Sequence, residues 1–221
     1  MNLRTPAVLA TAAALSLGAT ACGSDDSASS SSGASSKKAP EPVAQIDSLT
    51  GKSTAVTLDA GFVDALTQLK LTPSPVGDAS ISKTGVASFP ITGGNVKYYK
   101  PGSVSPYVQG EIDHDGSGLQ LEGGGKTVRL TDFVVDPGAS VLTGKVTVDG
   151  KEAAASAPLF FLDGRTLKPL ESNDDGTAVL EGTTVKFKDE SAQLLNDTFG
   201  VDALEGGLEV GVAKITVNTG A

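Results

Sequence analysis

The stretch VRLTDFVVDPGASVLTGKVTVDG, residues 128–150, decides the class of fold. Apolar and polar residues alternate in both of its halves, as expected when one face of a β-strand is buried and the other is not. The pair Asp149-Gly150 ends the second half and is typical of a tight hairpin turn. The stretch therefore predicts strands at residues 127–131 and Val141–Val148, followed by a hairpin.

Similar short runs of Val, Thr, Leu and Ile extend from Ile46 almost to the C terminus, interrupted by turn residues about every eight to twelve positions. This pattern is typical of a mainly β protein, an immunoglobulin-like or related β-sandwich. Further hairpins are expected at Gly123-Gly124-Gly125 and Glu181-Gly182. The other predicted strands are Ser53–Leu58 and residues 86–91, 108–113, 118–122, 158–162, 177–180, 183–187 and 208–217. The last of these is long and alternating, so we expect it inside the sheet rather than at an edge.

Two segments predict short helices, and each directly follows a strand. In the first, Asp59 can cap a helix that carries apolar residues at three- and four-residue spacing, at Phe62, Val63, Leu66 and Leu69. In the second, Asp189 precedes an apolar face formed by Ala192, Leu194 and Leu195. Gly200 stands where this second helix would end.

The two strand-helix units align without gaps, TAVTLDAGFVDAL at residues 54–66 with TTVKFKDESAQLL at residues 183–195. Their apolar positions coincide although few residues are identical. One supersecondary unit used twice explains this alignment. Chance is the alternative, because any strand followed by an amphipathic helix has the same pattern.

Residues 1–21 have the features of an export signal: Arg4 is followed by an apolar run at residues 7–17, too short for the roughly 20 residues that span a bilayer. Ala19-Thr20-Ala21 then satisfies the small-x-small rule for cleavage immediately before Cys22. This site resembles a bacterial lipobox, which implies a lipid on Cys22 and a membrane partner through that lipid. An ordinary signal peptidase cutting the same bond would release a secreted protein instead. Residues 22–45 are rich in Ser and predict a disordered tether, and residues 46–221 predict the folded domain.

The charge balance excludes several classes of partner. With 17 Lys and Arg against 26 Asp and Glu, the chain has a net charge of −9. Nucleic acids and anionic lipid surfaces require basic patches, so neither is expected as a partner. Cys22 is the only cysteine, which leaves the domain to be stabilised by its packed core rather than by disulfides.

The residues available for catalysis are few. His114 is the only histidine, and the chain has no G-x-S-x-G motif to hold a nucleophile and too few His and Cys residues for a zinc site. We therefore expect no catalytic activity, no metal site and no required cofactor. The polar cluster DHDGSG at residues 113–118 resembles the start of a calcium loop but lacks the acidic residue at its twelfth position, so it predicts a solvated turn. The sequence NDDG at residues 173–176 predicts a second turn.

Aromatic residues are scarce and partly clustered. Tyr98, Tyr99 and Tyr107 surround a Lys-Pro-Gly loop. They could stack on a sugar ring or a flat cofactor, or offer a phenolate to iron; alternatively, they pin the loop to the edge of the sandwich. Phe160 and Phe161 are adjacent, so in a strand one faces the core and the other faces outward.

Residues 61–150 resemble the HtaA-type domain of actinobacterial cell-surface haem-uptake proteins. The resemblance rests on the order of its parts: an early helix, then Gly110, Ile112 and His114 in a Gly-x-Ile-x-His strand, then Gly-Leu-x-Leu at residues 118–121. The strands VRLTDFVVD at residues 128–136 and VLTGKVTVDG at residues 141–150 follow.

The resemblance implies a haem site in which a tyrosine on the first helix binds the iron and a histidine hydrogen-bonds to that tyrosine. His114 matches the histidine, but the first helix carries no tyrosine. Either Tyr98, Tyr99 or Tyr107 supplies the oxygen, or the chain has the fold without the cofactor. We expect a lipid-anchored extracytoplasmic binding or envelope protein on the outer face of the cell membrane. The alternatives are a haem-binding surface protein of HtaA type, and a module that binds cell-wall polysaccharide or a protein partner.

Overall fold

The computed structural model describes residues 39–219, which fold mainly as β-strands. The strands there are β1 (Ala44–Ile46), β2 (Ser53–Leu58), β3 (Thr72–Gly77), β4 (Ser80–Ile81), β5 (Val86–Pro90), β6 (Gly93–Tyr98), β7 (Val108–Gly123), β8 (Lys126–Asp136), β9 (Val141–Val148), β10 (Lys151–Asp163), β11 (Glu171–Ser172), β12 (Thr177–Phe187) and β13 (Glu209–Asn218). The helices are α1 (Ala60–Gln68) and α2 (Asp189–Phe199), with a short 3-10 helix at Gly164–Thr166. The predicted mainly β, sandwich-like fold with two short helices is confirmed.

All strands belong to one antiparallel sheet, in the order β1-β6-β7-β8-β9-β10-β12-β13-β2-β5-β4, with β3 added to β7 and β11 to β12. β6 and β5 lie near opposite ends of this order, although only Ile91 and Thr92 separate them in the chain. The backbone N–H of Ile91 donates to Lys52 and that of Thr92 to Asp113, so the two residues bridge the two ends of the sheet. The sheet is therefore curled on itself around an interior.

Several predicted elements match the structure closely. β2 and β9 have the predicted bounds, and β13 lies between β12 and β2, inside the sheet as expected. The turns at Gly124-Gly125 and Asp149-Gly150 join β7 to β8 and β9 to β10. The first strand begins at Ala44, two residues before the predicted start of the domain, because its backbone pairs with the edge of β6.

The predicted turn at residues 113–118 is wrong. These residues lie inside β7, which continues through a β-bulge between His114 and Gly118. Gly116 takes a positive φ of 70° there, and its N–H donates to the Asp132 carboxylate across the strand pair. The cluster is thus a deformation of one long strand, and it turns His114 and Ser117 into the interior, where each is 1 % exposed.

The predicted hairpin at Glu181-Gly182 is also wrong, since β12 runs through it with a bulge. Gly182 has a φ of 111°, and a Cβ at this position would lie 2.3 Å from the carbonyl oxygen of Thr166. The glycine is therefore required for the close approach of two backbone segments rather than for a reversal of the chain.

The predicted cap at the start of the first helix and the predicted end of the second helix are confirmed. The Asp59 carboxylate accepts a hydrogen bond from the N–H of Phe62 at 3.2 Å, and Gly200 ends α2 in the left-handed conformation. The strands of the two aligned strand-helix units, β2 and β12, flank β13 from opposite sides. None of the helices within residues 39–219 has the length and apolar character needed to span a bilayer.

The helices fill one part of the interior. The ring of Phe62 on α1 lies 5.9 Å from that of Phe187, and Phe187 lies 5.3 Å from Phe160 on β10, centroid to centroid. On α2, Leu195 is 1 % exposed and belongs to the same apolar cluster. Among the described residues, those of α1 and α2 do not line the cavity in the remaining part of the interior.

Candidate functional site

The curled sheet encloses a cavity of about 780 Å³ at the end where β6 finishes and β7 begins. This volume lies within the range of pockets that hold small molecules and cofactors, roughly 300–1,000 Å³. Inward-facing residues of nearly every long strand line the cavity. Most are aliphatic or aromatic, among them Val56, Phe89, Phe133, Leu142, Phe160 and Ile215.

Small side chains on three strands make room for this cavity. Ala87 on β5, Ala178 on β12 and Ala213 on β13 all line the cavity and are at most 9 % exposed. Protein interiors are normally filled to the density of organic crystals, so an apolar space of this size is unusual. The cavity is therefore far larger than an ordinary packing defect.

His114 lies in the wall of this cavity and uses both of its ring nitrogens. Nδ1 lies 3.2 Å from the carbonyl oxygen of Phe133, which can only accept, so Nδ1 carries the proton and donates it. Nε2 is then an acceptor, and the hydroxyl of Thr54 donates to it at 2.8 Å. Neither nitrogen is left to bind a ligand.

Burial also keeps the imidazole neutral. It lowers the pKa of His114 from 6.5 to about 4, against the opposing effects of the hydrogen bonds with backbone carbonyls and of the Asp115 charge. The ring of Phe89 stands edge-on to His114 at 6.4 Å and to Phe133 at 5.3 Å. At neutral pH, His114 is thus an uncharged member of an aromatic wall.

Two of the three predicted tyrosines reach the cavity. Tyr98 ends β6, Tyr107 precedes β7, and their rings meet edge to face at 5.7 Å, both lining the cavity together with His114. Burial, and then the neighbouring Tyr98, raises the pKa of Tyr107, which disfavours its phenolate. Tyr99 is not part of the lining, and its backbone N–H donates to the carbonyl of Tyr107.

A charged cluster that sequence reasoning missed stands beside the cavity. Asp163, at the end of β10, is 5 % exposed and accepts from Nη2 of Arg165 at 2.6 Å and from Nζ of Lys186 at 2.9 Å. These two cations hold the pKa of its carboxyl well below the usual range, with Arg165 contributing most. The only signal in the sequence is a charged pair directly after an apolar strand, which is too common to identify a site.

Two other predictions concern the lipid site and metals. Cys22 lies outside the described residues. Within residues 39–219, no group of three or more His, Cys, Asp or Glu side chains is placed to hold a metal ion.

The fold matches a solved structure at low sequence identity. The crystal structure of the C-terminal domain of HtaA from Corynebacterium glutamicum is 13 % identical, with a TM-score of 0.55, over 77 % of this chain and 98 % of that one. The fold is that of an HtaA-type domain. A domain-swapped dimeric variant of the same domain is 12 % identical over 73 % of this chain and 92 % of that one, with a TM-score of 0.45. The chain matches no protein-family profile and no curated protein.

The cavity has a mainly apolar lining, but its residues do not reproduce the iron ligation that the sequence resemblance implies. Helix α1 has no tyrosine, and Phe62 turns its ring into the core against Phe187. His114 is engaged by Thr54 on a neighbouring part of the wall rather than by a phenol. The Tyr-His pair is therefore not reproduced.

Proposed function

We propose that this protein is a non-catalytic binding protein that takes an apolar organic ligand of haem-like size into its interior cavity. The observation that supports this proposal is the cavity of about 780 Å³, with its predominantly aliphatic and aromatic lining. A ligand in the cavity removes apolar surface from water, and each Å² removed contributes about 25 cal/mol of favourable binding free energy. No side-chain nucleophile or charged acid-base pair is required for such binding.

Haem is the first candidate ligand because the sequence resemblance implies it. Phe89, Phe133 and Phe160 line the cavity and offer flat apolar contacts to a porphyrin ring. Since both nitrogens of His114 are engaged, we propose that the porphyrin binds without an axial histidine. Haemin and the iron-free porphyrin should then bind with similar affinity.

Tyrosine fluorescence can report this binding directly. The chain has no tryptophan and only three tyrosines, two of which line the cavity. Titration with haemin, and in parallel with the iron-free porphyrin, should quench this fluorescence in a saturable manner. The Soret band should change without the sharp shift of new axial ligation.

A matched pair of variants on β13 tests whether the ligand occupies the cavity. Ala213→Phe adds a ring to the cavity wall, whereas Val212→Phe adds the same ring at the neighbouring residue, which is 36 % exposed. Ala213→Phe should weaken binding at least tenfold, and Val212→Phe should leave it unchanged. Absence of saturable binding, or equal binding by both variants, contradicts the proposal. Capture by cell-wall material that Ala213→Phe leaves intact would instead favour the polysaccharide-binding alternative.

We also propose that the protein works at the outer face of the cell membrane, anchored by a lipid on Cys22. The small-x-small residues before Cys22 and the Ser-rich segment after it support this location. Mass spectrometry of the mature N terminus tests the anchor. An unmodified Cys22 at the N terminus would contradict anchoring and indicate a secreted protein.

A further inference from the structure

Arg165 stands at the opening of the cavity. It lines the cavity, yet its side chain is 83 % exposed, so it borders both the apolar interior and the solvent. Phe161 has a similar position, since it lines the cavity and is 44 % exposed. An apolar wall and a cation are therefore adjacent at the opening.

The guanidinium of Arg165 is held in a fixed orientation. Its Nε donates to the Asp163 carboxylate at 2.9 Å and its Nη2 at 2.6 Å, a two-point contact on one edge of the planar group. Lys186 holds the same carboxylate from another strand at 2.9 Å. Among the residues 39–219, none accepts a hydrogen bond from Nη1 of Arg165, so this nitrogen is available to a ligand.

The local charge favours an anion. Asp163 is a single negative charge held by two cations, Arg165 and Lys186, which leaves the cluster with one net positive charge. The chain as a whole has a net charge of −9, so the positive charge of this cluster is opposite in sign to the net charge of the protein. Arg binds carboxylates well because its guanidinium is always charged and carries several donors in one plane.

We propose that Arg165 binds the carboxylate of an amphiphilic ligand whose apolar body occupies the cavity. This inference rests on the proposed function and specifies the class of ligand: a carboxylic acid on a large apolar body. A porphyrin propionate and a fatty acid both have this chemistry. In either case the acid group remains at the opening, where Arg165 and solvent share it.

If the Arg165 side chain only stabilised the fold, replacing it would change stability and not the affinity for a carboxylate. The Arg165 side chain is exposed, and Lys186 still pairs with the buried Asp163 carboxylate when Arg165 is replaced, so the loss of stability should be small. The hydrogen bond between the backbone N–H of Arg165 and Asp163, at 3.2 Å, persists when the side chain is replaced. Arg165→Gln should therefore fold normally, and a change in ligand affinity would report recognition rather than unfolding.

The test compares acids with their esters. Haemin is compared with its dimethyl ester by quenching of tyrosine fluorescence, and palmitate with methyl palmitate by titration calorimetry, each in the wild type, Arg165→Gln and Arg165→Lys. Arg129→Gln, a change of the same kind on β8 outside the cavity lining, is the control. Arg165→Gln should weaken binding of the acid roughly tenfold to a hundredfold and leave the ester unchanged, with Arg165→Lys intermediate.

The outcomes separate this inference from the proposed function. If the acid and ester of a pair bind the wild type equally and Arg165→Gln affects neither, the carboxylate role is overturned while the binding function stands. If no acid or ester binds, the proposed function fails and the inference fails with it. The pair that responds to Arg165→Gln, porphyrin or fatty acid, identifies the source of the carboxylate.

Discussion

The hydroxyl of Thr54 on β2 donates to Nε2 of His114 on β7 at 2.8 Å, joining two residues that are 60 positions apart in the chain. β2 and β7 lie far apart in the order of the sheet but near its two ends, so the bond joins these ends where the curl closes, as the backbone bonds of Ile91 and Thr92 also do. Thr54 is 5 % exposed and His114 is 1 % exposed. A hydrogen bond in this environment is costly to leave unmade, which makes the pair a determinant of the curled shape.

Replacing Thr54 with Val should show how much the His114–Thr54 hydrogen bond contributes to stability. The change keeps the shape of the side chain but leaves Nε2 of His114 as a buried acceptor without a donor, at a cost of about 1–3 kcal/mol in the free energy of unfolding. Thr57→Val, the same substitution at an exposed position of β2, should change stability by less than about 0.5 kcal/mol. Urea unfolding of both variants gives the comparison. Equal effects would mean that the His114–Thr54 bond is energetically unimportant.

The pH dependence of stability should follow from the buried His114. Its pKa is about 4 in the folded protein and 6.5 when unperturbed, so between these values the unfolded chain binds more protons. Stability is then complete above pH 6.5 and falls as the pH decreases towards 4. The total loss from this residue is on the order of 3 kcal/mol.

His114→Phe supplies the control for this pH effect, because His114 is the only histidine in the chain. Urea unfolding of both proteins at several pH values between 7 and 4 measures the difference. The decline between pH 6.5 and 5, before the carboxylates titrate, should be present in the wild type and much smaller in the variant. Parallel curves over this interval would contradict the assignment.

Much of the fold follows from periodicity, and the failures have a common physical cause. β2 and β9 alternate without interruption and have the predicted bounds, and β13 was predicted to within one residue at each end although its alternation shifts near Gly211. At a β-bulge the alternation is reset, so Asp113 to Gly118 and Glu181-Gly182 have the composition of turns although the strands continue. The distinction depends on the partner strand, which a local pattern does not contain.

Short strands were missed for a related reason. β3 contains Pro73 and Pro75 and pairs only with β7, so it forms by adding to an edge rather than by its own propensity. β4 and β11 have two residues each, too few to show any period. Their existence depends on the completed sheet.

The site was predictable only in part. His114, Tyr98 and Tyr107 were identified as candidates because His and Tyr are rare here, and all three line one cavity. The partner of His114 and the Asp163–Lys186 contact involve residues 60 and 23 positions apart, which spacing alone cannot pair. Ala87, Ala178 and Ala213 also line the cavity, and their significance appears only when pairing of β12, β13, β2 and β5 brings them to one part of its wall.

The bulge in β12 makes Gly182 a position where even the smallest side chain should be harmful. With a φ of 111° and a carbonyl oxygen 2.3 Å from the site of a Cβ, Gly182→Ala combines backbone strain with a clash. Gly176→Ala has a similarly unfavourable φ of 75° but open space around it. Strain alone costs about 1–2 kcal/mol, so Gly182→Ala should cost at least twice as much as Gly176→Ala. Thermal and urea unfolding measure the loss of stability in each variant. Similar losses would show that the Thr166 backbone moves away and relieves the clash.

The adjacent residues Phe160 and Phe161 should differ strongly in their contribution to stability. Phe160 is 6 % exposed and packs against Phe187, so Phe160→Ala should cost about 3–5 kcal/mol. Phe161 is 44 % exposed at the cavity opening, and Phe161→Ala should cost about 1 kcal/mol or less. Phe161→Ala should nevertheless weaken haemin binding, because it removes apolar surface at the opening while the fold persists. Urea unfolding tests the stability of Phe161→Ala, and haemin titration tests its binding. A loss of stability as large as that of Phe160→Ala would show that Phe161 is a core residue and does not lie at the opening.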